Sequence, residues 1–217
     1  MWSSKLISLS ITFFALNTGF QSERPVPTRK QVALEAQTAT TTNYLATLFR
    51  NAGLWGGIES YKSGCAADPE MRLPALSTNV AEALANLSMQ DNSLRWKVDG
   101  DGILVTKNAP ANPLLDSRVG DFIFNKNSPP EEPTVRLLNL PIIRARMAEF
   151  KLTERPPEIG FAQAPVTLKA EDQISLRDPT FRQALNSIAN VKHSRVWLFE
   201  QTTCSGRNTL LIQWLVK

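Results

Sequence analysis

The chain has 217 residues, 42% of them hydrophobic, and a formal charge of +4, which suits one or two domains with a buried core. Its basic residues are scattered rather than interleaved with aromatics, so neither composition nor patterning is that of a nucleic-acid-binding surface. No segment beyond the N-terminal region approaches the length of a membrane span.

Residues 1–22 are set aside first. One Lys precedes the uncharged run of fifteen from Leu6 to Phe20, too short for a comfortable span and of the form of a secretory signal peptide. Its removal takes Lys5 away, so +4 becomes +3. The expected location is periplasmic or secreted, with no transmembrane segment in the mature chain. Residues 23–41 read as an N-terminal linker.

A first half is expected over 42–107. Leu45, Leu48, Phe49 and Ala52 share one helical face, and Gly53 ends that helix before a strand through Ile58. A short strand is expected near Leu73 to Leu76. Val80, Ala83, Leu84 and Leu87 then stand at i, i+3, i+4 and i+7 of a second helix. Asn79 and Glu82 form a capping-box pair at its start. Leu94, Trp96 and Val98 alternate with Arg95 and Lys97, and Asp99 to Gly102 supplies a turn into Ile103 to Val105, so this is a β-hairpin.

A connector over 108–133 follows. Lys107 to Pro133 carries five prolines, a linker composition, but Leu114 to Phe124 is apolar enough to pack on one of the halves. The second half, 134–217, repeats the first at an offset of 101 residues. Leu73 falls on Ile174, Val80 on Phe181, Ala83 on Ala184, Leu84 on Leu185, Leu87 on Ile188 and Trp96 on Trp197. Pro141 suits a first helical turn, and Thr180 with Gln183 repeats the capping box. The final strands are apolar on both faces, which places them centrally in a sheet. The expected fold class is α+β: two tandem small α/β sandwich-like halves, each about α-β-β-α-β-β.

The stretch from Leu73 to Lys107 resembles the secretin and TonB short N-terminal (STN) domain. The resemblance rests on a strand entering a helix with Glu82-Ala83-Leu84 and Leu87, then Trp96, the Asp101-Gly102 turn and Ile103 to Val105. The second copy is similar but has Gln183 and a longer loop. The resemblance implies small periplasmic α+β modules that contact partner proteins, hence an unidentified envelope protein as partner.

For chemistry, no nucleophile elbow, phosphate loop, dinucleotide fingerprint or zinc-protease motif is present. The single histidine, His193, ends a helix without a second ligand nearby. Asp99 to Gly102 lacks the continuation of a calcium loop. No catalytic residue, metal site or cofactor is therefore assigned. Leu84, Trp96, Leu185 and Trp197 are core repeat positions; the alternative for the tryptophans is a ligand-stacking pair. Cys65 and Cys204 are two loop cysteines in an oxidising compartment, expected to bond to each other; two buried thiols or an intermolecular bridge are the alternatives. The function expected is an exported, non-catalytic binding or interaction module of the cell envelope. A cell-wall hydrolase with carboxylate chemistry and a small-ligand binder between the halves are the alternatives.

Overall fold

The computed structural model describes residues 27–108, 113–155, 170–191 and 195–215. The signal-peptide region, Ile159 and His193 lie outside them. The fold is mixed α+β, as the periodicities predict. Among the described residues no helix is long and apolar enough to cross a membrane.

Strands β1 (Gln31–Leu34) and β2 (Gln37–Thr40) lead into α1 (Thr41–Asn51). Next come β3 (Gly56–Ser63), β4 (Glu70–Leu73), β5 (Leu76–Asn79), α2 (Val80–Gln90) and the hairpin β6 (Leu94–Asp99) and β7 (Gly102–Lys107). The second repeat starts with β8 (Phe122–Asn125), α3 (Glu131–Leu138) and α4 (Pro141–Glu149). It continues with β9 (Leu152–Glu154), β10 (Gln173–Leu176), α5 (Phe181–Val191), β11 (Val196–Cys204) and β12 (Arg207–Leu215).

Local chemistry sets the helix ends. Asn79 Oδ1 accepts the Glu82 N–H at 3.0 Å. At α5 the box is reciprocal: Thr180 Oγ1 accepts from Gln183 N–H at 3.2 Å, and Gln183 Oε1 accepts from Thr180 N–H at 2.8 Å. Gly53, at φ +58°, closes α1. Its N–H donates to Arg50 O, and the Leu54 N–H donates to Phe49 O, the paired bonds of a Schellman end.

Residues assigned to linkers by composition are part of the fold. β1 pairs antiparallel with β5, and β8 with β10, so a two-stranded ribbon precedes each capped helix. Val32, Leu34, Phe122 and Phe124 are buried by these ribbons. Four-residue strands are too short for alternation to stand out against proline-rich surroundings.

Among the described residues the main sheet has six strands in the order β6-β7-β3-β11-β12-β9. β7, β3 and β11 run one way; β6, β12 and β9 run the other. Each repeat contributes three strands in the same lateral order, a hairpin and then the strand following a helix, but with every direction reversed. One operation relates them: a half-turn about an axis lying in the sheet across its strands, with a shift of three strands. Such a half-turn exchanges the two faces. The helices of the two repeats must then cover opposite sides, and they do. α1 and α2 pack with Ile58, Ile103, Val105, Val196 and Leu198 in one core. α3, α4 and α5 pack with Tyr61, Leu104, Trp197, Phe199 and Trp214 in the other.

Alternation along β11 thus feeds both cores, which is why its sequence is apolar throughout. Leu84 and Leu185 are buried equivalents, one in each core. Trp197 is fully buried, whereas Trp96 is half-buried against the other core. The two tryptophans sit on opposite faces of the sheet and do not form a stacking pair.

β3 and β11 join the repeats as parallel neighbours, from Gly56 beside Val196 to Ser63 beside Thr203. Close approach there depends on glycine. A Cβ on Gly57 would lie inside the Trp197 ring, and one on Gly56 would stand 2.5 Å from Ile103 O. Trp197 has no freedom to yield, because its Nε1 donates to Asn186 Oδ1 at 2.9 Å. Gly57→Ala should therefore cost about 1–3 kcal/mol through overpacking, seen as a lowered midpoint in urea. An unchanged midpoint would mean the Trp197 ring is mobile.

Candidate functional site

A cleft of about 670 Å3 opens where the two repeats and the connector meet. Its first wall is the tip of the β6–β7 hairpin, Asp99 to Asp101, with Trp55 beside it. Trp55 follows the α1 end, and its carbonyl accepts the Ile103 N–H at 3.3 Å. The indole lies on Gly102, where a Cβ would fall 2.5 Å from a ring carbon. Trp55 is half-buried, and its indole N–H has no acceptor among the described residues.

A second wall is α5, which turns Gln183, Asn186, Ser187 and Asn190 toward the cleft. These stand at i, i+3, i+4 and i+7, opposite the buried stripe of Phe181, Ala184, Leu185 and Ile188. Asn186 ties the walls together: its Nδ2 donates to Asp99 Oδ2 at 2.7 Å while its Oδ1 accepts from Trp197. Asp99 of the hairpin turn therefore braces a helix.

The floor is the loop from Ser175 to Pro179 with Arg118. Arg118 Nη1 donates to Asp178 O at 2.6 Å, and Val119 N–H donates to Pro179 O at 3.0 Å. Asp178 holds φ +41°, a left-handed conformation that Asp tolerates better than most residues. The loop is thus fixed to the connector.

Two devices hold the repeats in register. Cys65 and Cys204 form a disulfide across a sequence separation of 139, with Cα atoms 4.9 Å apart. It lies just beyond the last pair of the β3–β11 ladder, where Gly64 N–H also donates to Thr203 O at 2.8 Å. The second device is an ion cluster. Glu59 of β3, 3% exposed, receives Arg182 of α5 through Nε at 2.5 Å and Nη2 at 3.3 Å. Arg182 Nη1 also meets the Asp116 carboxylate of the connector. Burial works to lower the Arg182 pKa, but Glu59 and Asp116 outweigh it and raise it.

A smaller cleft of about 430 Å3 lies beside the disulfide, lined by Lys62, Asp68, Glu200 and the first turn of α1. Its charges alternate. Lys62 bridges Glu200 at 2.6 Å and Asp68 at 3.1 Å, and Lys107 reaches Asp68 at 3.8 Å and Asp91 at 3.3 Å. Burial works to lower the Lys62 pKa, yet its two carboxylate partners raise it. This self-satisfied chain has the character of structure rather than of a ligand site.

Its last member titrates usefully. Burial would raise the Asp91 carboxyl, but Ser93 hydroxyl and N–H bonds and Lys107 hold it below its ordinary 3.8. A depressed folded value means stability that is complete above the unfolded value and lost as pH falls through the folded one. Asp91→Asn should therefore flatten the loss of stability below about pH 4, measured by urea titration across pH. An unchanged acid limb would remove Asp91 as a contributor.

Sequence reasoning paired the cysteines and placed the hairpin tip, but missed Trp55 and the amide face of α5. The available signal was Trp55 followed directly by two glycines, a residue pair that admits bulky rings from neighbouring strands. Compared with protein-family models, with curated proteins and with solved structures, the chain finds no match.

Proposed function

We propose that this chain is an exported binding module of the cell envelope, built from two diverged STN-like repeats, which holds a ligand in the junction cleft without transforming it. One observation carries the reading: the cleft takes its walls from both repeats and its floor includes the connector, so it exists only when the repeats are joined. The disulfide and the Glu59–Arg182 cluster brace that same joint. Rigid support around a concave, mixed-polarity surface is what a preorganised binding site needs. The use of Asp99 to anchor Asn186 favours positioning over acid–base chemistry.

The test is a thermal-shift screen of the oxidised protein against saccharides, nucleotides, amino acids, short peptides and polyamines. A hit should raise Tm in the wild type and fail to do so in Asn190→Arg, which fills the cleft from an exposed position. No hit, or hits indifferent to Asn190→Arg, would sink the cleft as the binding site. Mass spectrometry of a bound compound after prolonged incubation should return it intact. Turnover would make the protein an enzyme.

A further inference from the structure

We infer that the junction cleft takes a neutral short saccharide; this deepens the binding reading above and rests on it. The first observation is the α5 wall. Helix faces turned toward water usually carry Lys and Glu, yet here Gln183, Asn186, Ser187 and Asn190 are all uncharged amides or hydroxyl, and α5 has no acidic residue in its first turn and no basic one in its last. Asn186 is spent on Asp99 and Trp197, and the valences of Gln183 and Ser187 are mixed. The Gln183 carbonyl is taken by Thr180 N–H, which leaves its NH2 to donate. The Ser187 hydroxyl donates to Gln183 O, which leaves its oxygen to accept. A row of donors and acceptors on one rigid helix matches a ligand whose own groups are both, as hydroxyls are.

The second observation is Trp55 in the same lining, its indole laid on Gly102. An aromatic surface in one cleft with hydrogen-bonding side chains suits a ring with an apolar C–H face and a polar rim. Charge and polarity argue against two rival classes. Asp99, Asp101 and Asp178 line the cleft against Arg118 and Arg177, so no positive excess invites a phosphate. The polar walls are equally unsuited to an acyl chain. About 670 Å3 falls within the range of small-ligand clefts.

Isothermal titration with two series separates the sources: N-acetylglucosamine oligomers stand for wall glycan, and glucose oligomers for other polysaccharide. At least one series should bind, and Trp55→Ala and Asn190→Ala should each weaken it tenfold or more. Trp55→Phe, which keeps a ring and discards the unmet N–H, should retain most of the affinity. Asn190→Ala, at an exposed position, keeps the test valid should Trp55→Ala fold poorly. Saccharide binding unaffected by Asn190→Ala would overturn the inference. So would silence from both series alongside an Asn190-dependent nucleotide, peptide or polyamine hit, an outcome that leaves the cleft itself standing. If nothing binds at all, both readings fall.

Discussion

Replacing Cys65 and Cys204 by serine, or reducing their bond, should lower the free energy of unfolding by up to about 5 kcal/mol. The figure follows from the separation of 139 residues and the loop-closure entropy that a cross-link removes from the unfolded chain. The full amount is an upper value, because a compact unfolded ensemble already restricts the loop. The bond's position adds a local effect. It closes the ladder between β3 and β11 at the end where Thr203 meets Ser63, so its loss frees the termini of both central strands. Urea unfolding of oxidised, reduced and double-serine protein measures this. The last two should agree with each other and fall well below the first. Coincident curves for all three would show that the joint holds without the bond.

Glu59→Ala should be nearly as damaging, costing about 3–5 kcal/mol, the range for stranding one member of a buried ion pair. Glu59 is 3% exposed and Arg182 spends two of its nitrogens on it. Removing the carboxylate leaves a desolvated guanidinium whose remaining partner, Asp116, is half in water. The control is the paired replacement Glu59→Met with Arg182→Met. Well-packed apolar substitutes for both partners are often neutral, so most of the stability should return. If the single variant melts like wild type, the cluster is solvated in solution. If the pair stays as weak as the single, the loss was of packing and not of charge.

The ion pair, and the place of the disulfide at the end of a ladder, depend on a neighbour relation that the sequence could not supply. Spacing told which side chains share a helical face, because Val80 to Leu87 and Phe181 to Ile188 obey a local period. Capping and turn residues marked the ends for the same local reason, and the cysteine pairing followed from counting. But alternation along β11 says only that its residues point two ways. It does not say that β3 lies beside it, or that the two repeats face opposite sides. Glu59 sits among Gly-Ile-Glu-Ser-Tyr and reads as an ordinary strand residue, since the arginine that explains it lies 123 residues on. The cleft was illegible for the same cause: Trp55 and Asn190 come to line one cleft only through that joint.

The half-turn relating the repeats has a consequence for the life of one repeat alone. A rotation combined with a shift does not close on itself, so applied again it would lengthen the sheet by three strands at each step. The outer edge of β9 is the counterpart of the β3 edge that receives β11, and the outer edge of β6 is the counterpart of the β11 edge that receives β3. Each end of the sheet therefore carries one half of the joint made in its middle. Growth is discouraged at one end by Arg95 and Lys97 on β6, and at the other by the three-residue length of β9, both familiar ways of blunting an edge. β3 carries two charges, Glu59 and Lys62, but it is not short. It is eight residues long and its first six are buried, so a single first repeat would present a long unpaired edge. The second repeat thus serves the first as a stopper, covering an edge that the first alone would leave open.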